Sequence, residues 1–269
     1  MLIASPAPDA KQCAVHTCPG RWTFPDLKAG DIVFKSLSVT LLLSLGLLAG
    51  LAACQTTATP PPLNEEYVGE FRFSNGQALP LPEGTWTSVA RAHRRNNHNN
   101  LLETVTLVAT DSGQVTGLVI GRTNIDAARS GWIIPKLCQR SDTHLAEVVS
   151  YNTRDSFCWG IVHSDHSKNF SGYWGEVLRP YFDYVDGRGI AAPKAMIDVE
   201  MYKAKPSRFL SARYYWNPEV EGFPAPAVAA WQNSDWNVSN VAGDAEKLAY
   251  LERLEAWGRS MIPRFKAAQ

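Results

Sequence analysis

The sequence predicts an α+β fold: a single domain with a mainly antiparallel β-sheet, a mid-chain helix and a C-terminal amphipathic helix. Three observations carry this. From Tyr67 onward, short stretches with period-two alternation follow one another with no helical pattern between them. The stretch "ETVTLVATDSGQVTGLVIG" joins two such stretches through Asp111-Ser112-Gly113, a hairpin signature. At two places the apolar spacing switches to three and four residues, which marks helices.

The first strands are expected at residues 67–73 and 85–93, with "SNGQALPLPEG" as the turn between them. In the hairpin, Val105, Leu107 and Ala109 alternate with Thr104, Thr106 and Thr110, and the partner strand spans 115–120. Residues 145–151 and 157–163 read as two more strands. In "SGYWGEVLRPYFDYVDGRG" one face gathers Trp174, Val177, Leu178, Tyr181, Phe182 and Val185, so a helix is predicted. Pro180 lacks a backbone donor and must kink that helix or open a second piece. Strands at 196–203 and 208–216 follow, joined through "AKPS". In the former, Ile197, Val199 and Met201 face a core while Asp198 and Glu200 point the other way. Asp244 is the expected N-cap of the last helix. Its stripe is Leu248, Leu251, Leu254, Trp257 and Met261, until Pro263 interrupts it.

The first 66 residues read differently. Residues 36–53, "SLSVTLLLSLGLLAGLAA", carry no ionisable side chain, and Lys35 precedes them. Eighteen residues are at the lower limit for spanning a bilayer, but a secretory signal has the same apolar core, a basic flank and small residues at its end. Leu51-Ala52-Ala53-Cys54 resembles the lipobox of bacterial lipoproteins. The resemblance covers about twenty residues and implies cleavage before Cys54, diacylglyceryl attachment to its thiol, and acylation of its new amino group, typically with palmitate. Gln55, where an inner-membrane retention signal would have Asp, implies the outer membrane, with the domain facing the periplasm. The 34 residues before Lys35 are mixed in charge and depart from the pattern, so translation is expected to start later, near Val33. The divisions expected are thus 1–53 signal peptide with an N-terminal extension, 54–66 lipidated cysteine and Pro-rich tether, and 67–269 periplasmic domain. The tether carries three consecutive prolines, Pro60 to Pro62, and favours polyproline II.

Of five cysteines, Cys13 and Cys18 lie upstream of the cut and Cys54 is the anchor. Cys138 and Cys158 remain as an even pair in an oxidising compartment, and a disulfide is expected between them. There is no CxxC redox motif, which disfavours an oxidoreductase.

The chain has 26 basic and 26 acidic residues, and the cleaved form 22 (26 minus 4) against 23 (26 minus 3). Composition therefore gives no reason to expect a nucleic-acid partner, and it makes electrostatic steering an unexpected theme. Candidate chemistry is sparse. His163, Asp165 and His166 in "HSDHS" are of types that bind zinc or move protons, but ligands three apart converge poorly from a strand end. No metal site or cofactor is called on this basis. "RAHRRNNHNN", residues 91–100, reads as a polar hairpin loop that could alternatively contact lipid phosphates or an anionic polymer. Tyr214, Trp216, Trp231 and Trp236 could form a platform for sugar rings or a peptide, or else belong to the core. No nucleophile elbow, H-E-x-x-H or phosphate-binding glycine loop occurs. The expected function is that of a non-catalytic envelope lipoprotein, membrane-attached through its lipid, binding a protein partner or a cell-wall component such as peptidoglycan. The alternatives are a metal-dependent or hydrolytic enzyme using His163, Asp165 and His166, and a carrier of a small apolar ligand.

Overall fold

A computed structural model describes residues 63–127, 136–152, 154–165, 172–227 and 233–268. The expected lipid anchor Cys54, His166 and Trp231 lie outside the described residues, as does the side chain of Asp165. Eight strands form one sheet: β1 (Glu66–Arg72), β2 (Ala78–Arg95), β3 (Leu101–Asp111), β4 (Gln114–Asn124), β5 (Leu145–Tyr151), β6 (Ser156–Asp165), β7 (Ala195–Lys205) and β8 (Arg208–Trp216). Their order is β1-β2-β3-β4-β8-β7-β6-β5, and every neighbouring pair is antiparallel. Two four-strand meanders are thus joined along β4 and β8. Helix α1 (Gly172–Gly187) lies between β6 and β7 in sequence, and α2 (Ala245–Ala267) closes the chain. The predicted α+β class is the one observed. Among the described residues no helix is long and apolar enough to cross a membrane.

The β3–β4 turn forms as its residues dictate. Asp111 pairs with Gln114, and Ser112 and Gly113 both take positive φ, 50° and 78°, as a two-residue hairpin requires. Strand β2 is longer than predicted because "ALPLPEG" belongs to it. Its first half pairs with β1 alone, whereas its second half pairs with β3 from Thr87 onward. Pro80 and Pro82 therefore sit where one side of the strand has no ladder partner, the place a sheet tolerates proline.

Alternation sorts side chains onto two faces. On one, the first half of β2 folds back so that Leu79 and Trp86 meet Gly121 and Gly117 of β4, and the Tyr214 hydroxyl donates to the Pro80 carbonyl at 2.9 Å. On the same face α2 buries Tyr250, Leu251, Leu254, Met261 and Phe265 against β6 to β8. Burial of each such side chain contributes about 1.5–3 kcal/mol. Pro263 does not end this helix, which continues to Ala267. Phe265, stacked on Phe157 at 5.8 Å, holds the last turn down despite the missing donor. On the opposite face α1 buries Val177, Leu178, Tyr181, Phe182 and Val185 against β2, β3, β4 and β8, the predicted stripe less Trp174, which is exposed. Pro180 lies inside this single helix.

Candidate functional site

His163 belongs to β6 and is buried, on the face that carries Trp159 and Ile161. Burial, and secondarily His144, pushes its pKa down to about 4, while a hydrogen bond with the Trp236 backbone acts in the opposite sense. It is therefore a neutral histidine at the edge of the core. Asp165 ends the same strand. Among the described residues no group of three His, Cys, Asp or Glu side chains converges to hold a metal ion.

Of the four candidate platform residues, the three described serve packing. Tyr214 and Trp236 are buried, and Trp236 packs edge-on against Phe223 and Tyr250 at 5.1 and 5.7 Å. Trp216 is partly buried and meets Trp257 at 5.0 Å. These rings stabilise the junction of β8 with α2 and present no open row of faces.

Cys138 and Cys158 are joined as a disulfide, their Cα atoms 5.8 Å apart and 20 residues apart in sequence. It ties the one-turn helix Lys136–Gln139 to β6. With Leu137 and Val162 it forms a small apolar cluster.

Pairing brings together a polar cluster that sequence spacing did not reveal. Arg213 of β8 stands opposite Glu200, and Tyr215 opposite Asp198. The Arg213 Nε donates to Asp198 Oδ2 at 2.6 Å, and a second guanidinium nitrogen contacts the same oxygen. Glu200 lies at 3.8 Å. The guanidinium also stacks on Tyr215 and Trp174, 5.0 and 5.2 Å to the ring centroids, which pins α1 to the sheet. Asp198 is wholly buried. Burial raises its pKa to about 7 against the pull of Arg213, with Glu200 adding to the rise. This cluster is enclosed and cross-linked by its own charges, so it reads as a structural clamp.

A different arrangement holds at the end of the sheet where the β2–β3 hairpin turns. Arg94, Leu102 and Asn124 stand in register on β2, β3 and β4, and Ala92, Thr104 and Arg122 form the next row on the same face. Arg94 and Arg122 therefore flank β3 diagonally. With Arg95, Asn96, Asn97, His98 and Leu102 they line an open groove of about 360 Å³. Leu102 is buried and forms its apolar floor. The hairpin is braced by its own asparagines: Asn96 Oδ1 accepts from the backbone N–H groups of His98 and Asn100 at 2.9 and 3.0 Å. Asn99, with φ 60°, presents its carbonyl to Arg95 at 2.8 Å. Asp126 lies 3.7 Å from Arg95, but among the described residues no carboxylate lines the groove itself. Three guanidiniums in one concave surface favour an anionic ligand. "RAHRRNNHNN" is thus the hairpin that its asparagines predicted, and its Arg94 and Arg95 share a groove with Arg122. Only the β3–β4 register shows that Arg122, 28 residues later, belongs with them.

Compared with known protein families, curated proteins and solved structures, the chain finds no match.

Proposed function

We propose that this chain is a non-catalytic cell-envelope lipoprotein, held at the outer membrane through lipidated Cys54, whose periplasmic domain binds an envelope protein or a cell-wall component. The observation that carries the binding role is the open groove bearing Arg94, Arg95 and Arg122, with no carboxylate among the described residues of its lining. The address rests on the apolar run and the Leu51-Ala52-Ala53-Cys54 tetrapeptide. The Cys138–Cys158 disulfide supports an oxidising compartment.

Two experiments test the two halves separately. Cys54→Ala in the native host should leave a larger precursor that takes up no labelled palmitate; unchanged migration and unchanged labelling would sink the anchor. A photo-crosslinking side chain at His98, exposed in the groove, should capture a reproducible adduct in intact cells, absent when the same group replaces the remote residue Arg188. Equal yields at both positions would sink the binding role.

A further inference from the structure

We infer that a second recess, on the face of the sheet that α2 covers, binds an α-amino acid or short peptide by its carboxylate and its ammonium group together. The recess has a volume of about 490 Å³, within the range of small-molecule sites. It lies where the β1–β2 turn, the β7–β8 turn and the last turn of α2 meet, and it shares no residue with the groove described above. Its two decisive side chains are Arg208 and Arg264. By alternation Arg208 shares its face of β8 with Leu210, Ala212 and Tyr214, and those three belong to the core beneath α2. Arg264, in the last turn of α2, therefore stands on the same side of the sheet.

The charges of the lining are only partly spent on one another. Arg72 pairs with Glu70 and donates to the Gly76 carbonyl at 3.4 Å. Arg264 donates to the Gly69 carbonyl at 2.8 Å and to the Met261 sulfur at 3.4 Å, neutral partners that orient the guanidinium and leave its charge in place. Arg208 is exposed, and among the described residues neither it nor Arg264 has a carboxylate partner. Guanidinium forks match the two oxygens of a carboxylate. Gln77 adds a neutral donor. It lines the recess and is buried, and its Nε2 has no hydrogen-bond partner among the described residues. Its Oε1 accepts from Thr123, which stands opposite Leu210, and Arg208 is the next residue on that face of β8. A ligand oxygen held there would supply the acceptor that this buried amide lacks.

Acceptors stand beside these donors. Ala267 and Ala268 line the recess, at the helix end, where the last carbonyls have no helical donor to follow and the macrodipole carries about half a negative charge. The Lys203 ammonium already donates to the Lys266 carbonyl there at 2.9 Å, so this helix end is one that holds an ammonium group. A phosphate dianion suits the recess less well, because Glu70 and the helix end both oppose its second charge. A zwitterion satisfies both kinds of group at once. The wall is also preformed. Gly76 takes the positive φ of 80° that the β1–β2 turn requires, and Asn75 braces that turn, accepting from the Gln77 backbone N–H at 2.9 Å and donating to the Asn124 carbonyl at 2.7 Å. Little ordering is therefore left for binding to impose.

Equilibrium dialysis of the full-length protein in neutral detergent against radiolabelled alanylalanine tests the assignment. Saturable binding is expected. The dipeptide amide, which lacks the carboxylate, should compete about tenfold less well, and the N-acetyl dipeptide, which lacks the ammonium, several-fold less well. Arg208→Gln should weaken binding about tenfold, while Arg188→Gln, just after α1 on the other face, leaves it unchanged. Arg208 is exposed, so its loss spares the core, and circular dichroism checks that the variant is folded. Arg264→Gln should weaken binding as well, by removing the second fork. No saturable binding, equal competition by the amide or by the acetylated dipeptide, or unchanged binding in R208Q would overturn the inference. Inorganic phosphate displacing the label at lower concentration than unlabelled alanylalanine would overturn it too. Free alanine distinguishes the two sources of the chemistry: displacement equal to that by the dipeptide assigns the recess to a single amino acid, and weaker displacement assigns it to a peptide, each in support. The His98 crosslinks report on the other groove, so the two sites stand or fall separately.

Discussion

At the scale of single residues, two buried groups on adjacent strands and opposite sheet faces titrate against each other. His163 is held neutral by burial, with its pKa near 4, whereas a histidine in the unfolded chain protonates near 6.5. Its contribution is present above about pH 6.5 and lost as pH falls toward 4. Asp198 has the opposite sign. Its folded pKa is raised to about 7, so the fold binds a proton that the unfolded chain releases near 4, and that stability is full at low pH and lost as pH rises to 7. The two dependences cancel in large part. Urea midpoints of His163→Gln should therefore climb relative to wild type between pH 7 and 4, while those of Asp198→Asn should fall; parallel curves for all three proteins would refute this. Neither environment was legible in the sequence. Alternation placed Asp198 opposite the Ile197 face correctly, but burial of that face depends on α1, and burial of His163 depends on segments far away in the chain.

At the scale of elements, the strand pattern was legible and the cross-chain partners were not. Two strands, β5 and β8, have the predicted limits, because alternation and flanking turn residues bound them on both sides. The extension of β2 through two prolines could not be read, since proline tolerance depends on which side of the strand is left open. The same holds for the approach of α2 to the sheet. The predicted stripe named Leu251 and Leu254 but not Gly258, where an added Cβ would come within 2.5 Å of the Trp159 ring and 3.2 Å of Val199. The ring is locked in the core and Arg259 lies over it at 5.3 Å, so it cannot yield freely. Gly258→Ala gains helix propensity of about 1 kcal/mol and loses more to overpacking, typically 1–3 kcal/mol. A net fall in denaturation midpoint is expected, and a rise would show that α2 can shift outward. The disulfide acts on the neighbouring elements. A closed loop of this length stabilises by about 3 kcal/mol in the chain-entropy model, so the double variant Cys138→Ala/Cys158→Ala should lose about that much in chemical denaturation, and reductant should then have no further effect on it.

At the scale of the whole molecule, a balanced composition conceals an uneven one. The 26 basic and 26 acidic residues made electrostatic steering an unexpected theme, and the fold alters that reading by sorting charges along the strand direction. One end of the sheet gathers Arg94, Arg95, Arg122, Lys205 and Arg208 at the β2–β3 and β7–β8 turns. The other holds Asp111 at the β3–β4 turn, Asp183 and Asp186 late in α1, and Glu219 and Glu221 just after β8, with Arg188, Lys194 and Arg253 beside them offsetting part of that charge. No linear window of sequence could show this, because antiparallel pairing brings each end together from turns scattered over more than a hundred residues. A separation of this kind produces opposite potentials at the two ends, effective within a Debye length of about 8 Å at physiological salt. The lipid-free protein carrying Cys54→Ala should then be retained at low salt and pH 7 on both cation and anion exchangers, although its formal charge is near zero. Lys205→Glu/Arg208→Glu should abolish retention on the cation exchanger while strengthening retention on the anion exchanger. Were the charges evenly mixed over the surface, wild type would pass through both columns and the substitutions would only shift it onto the anion exchanger.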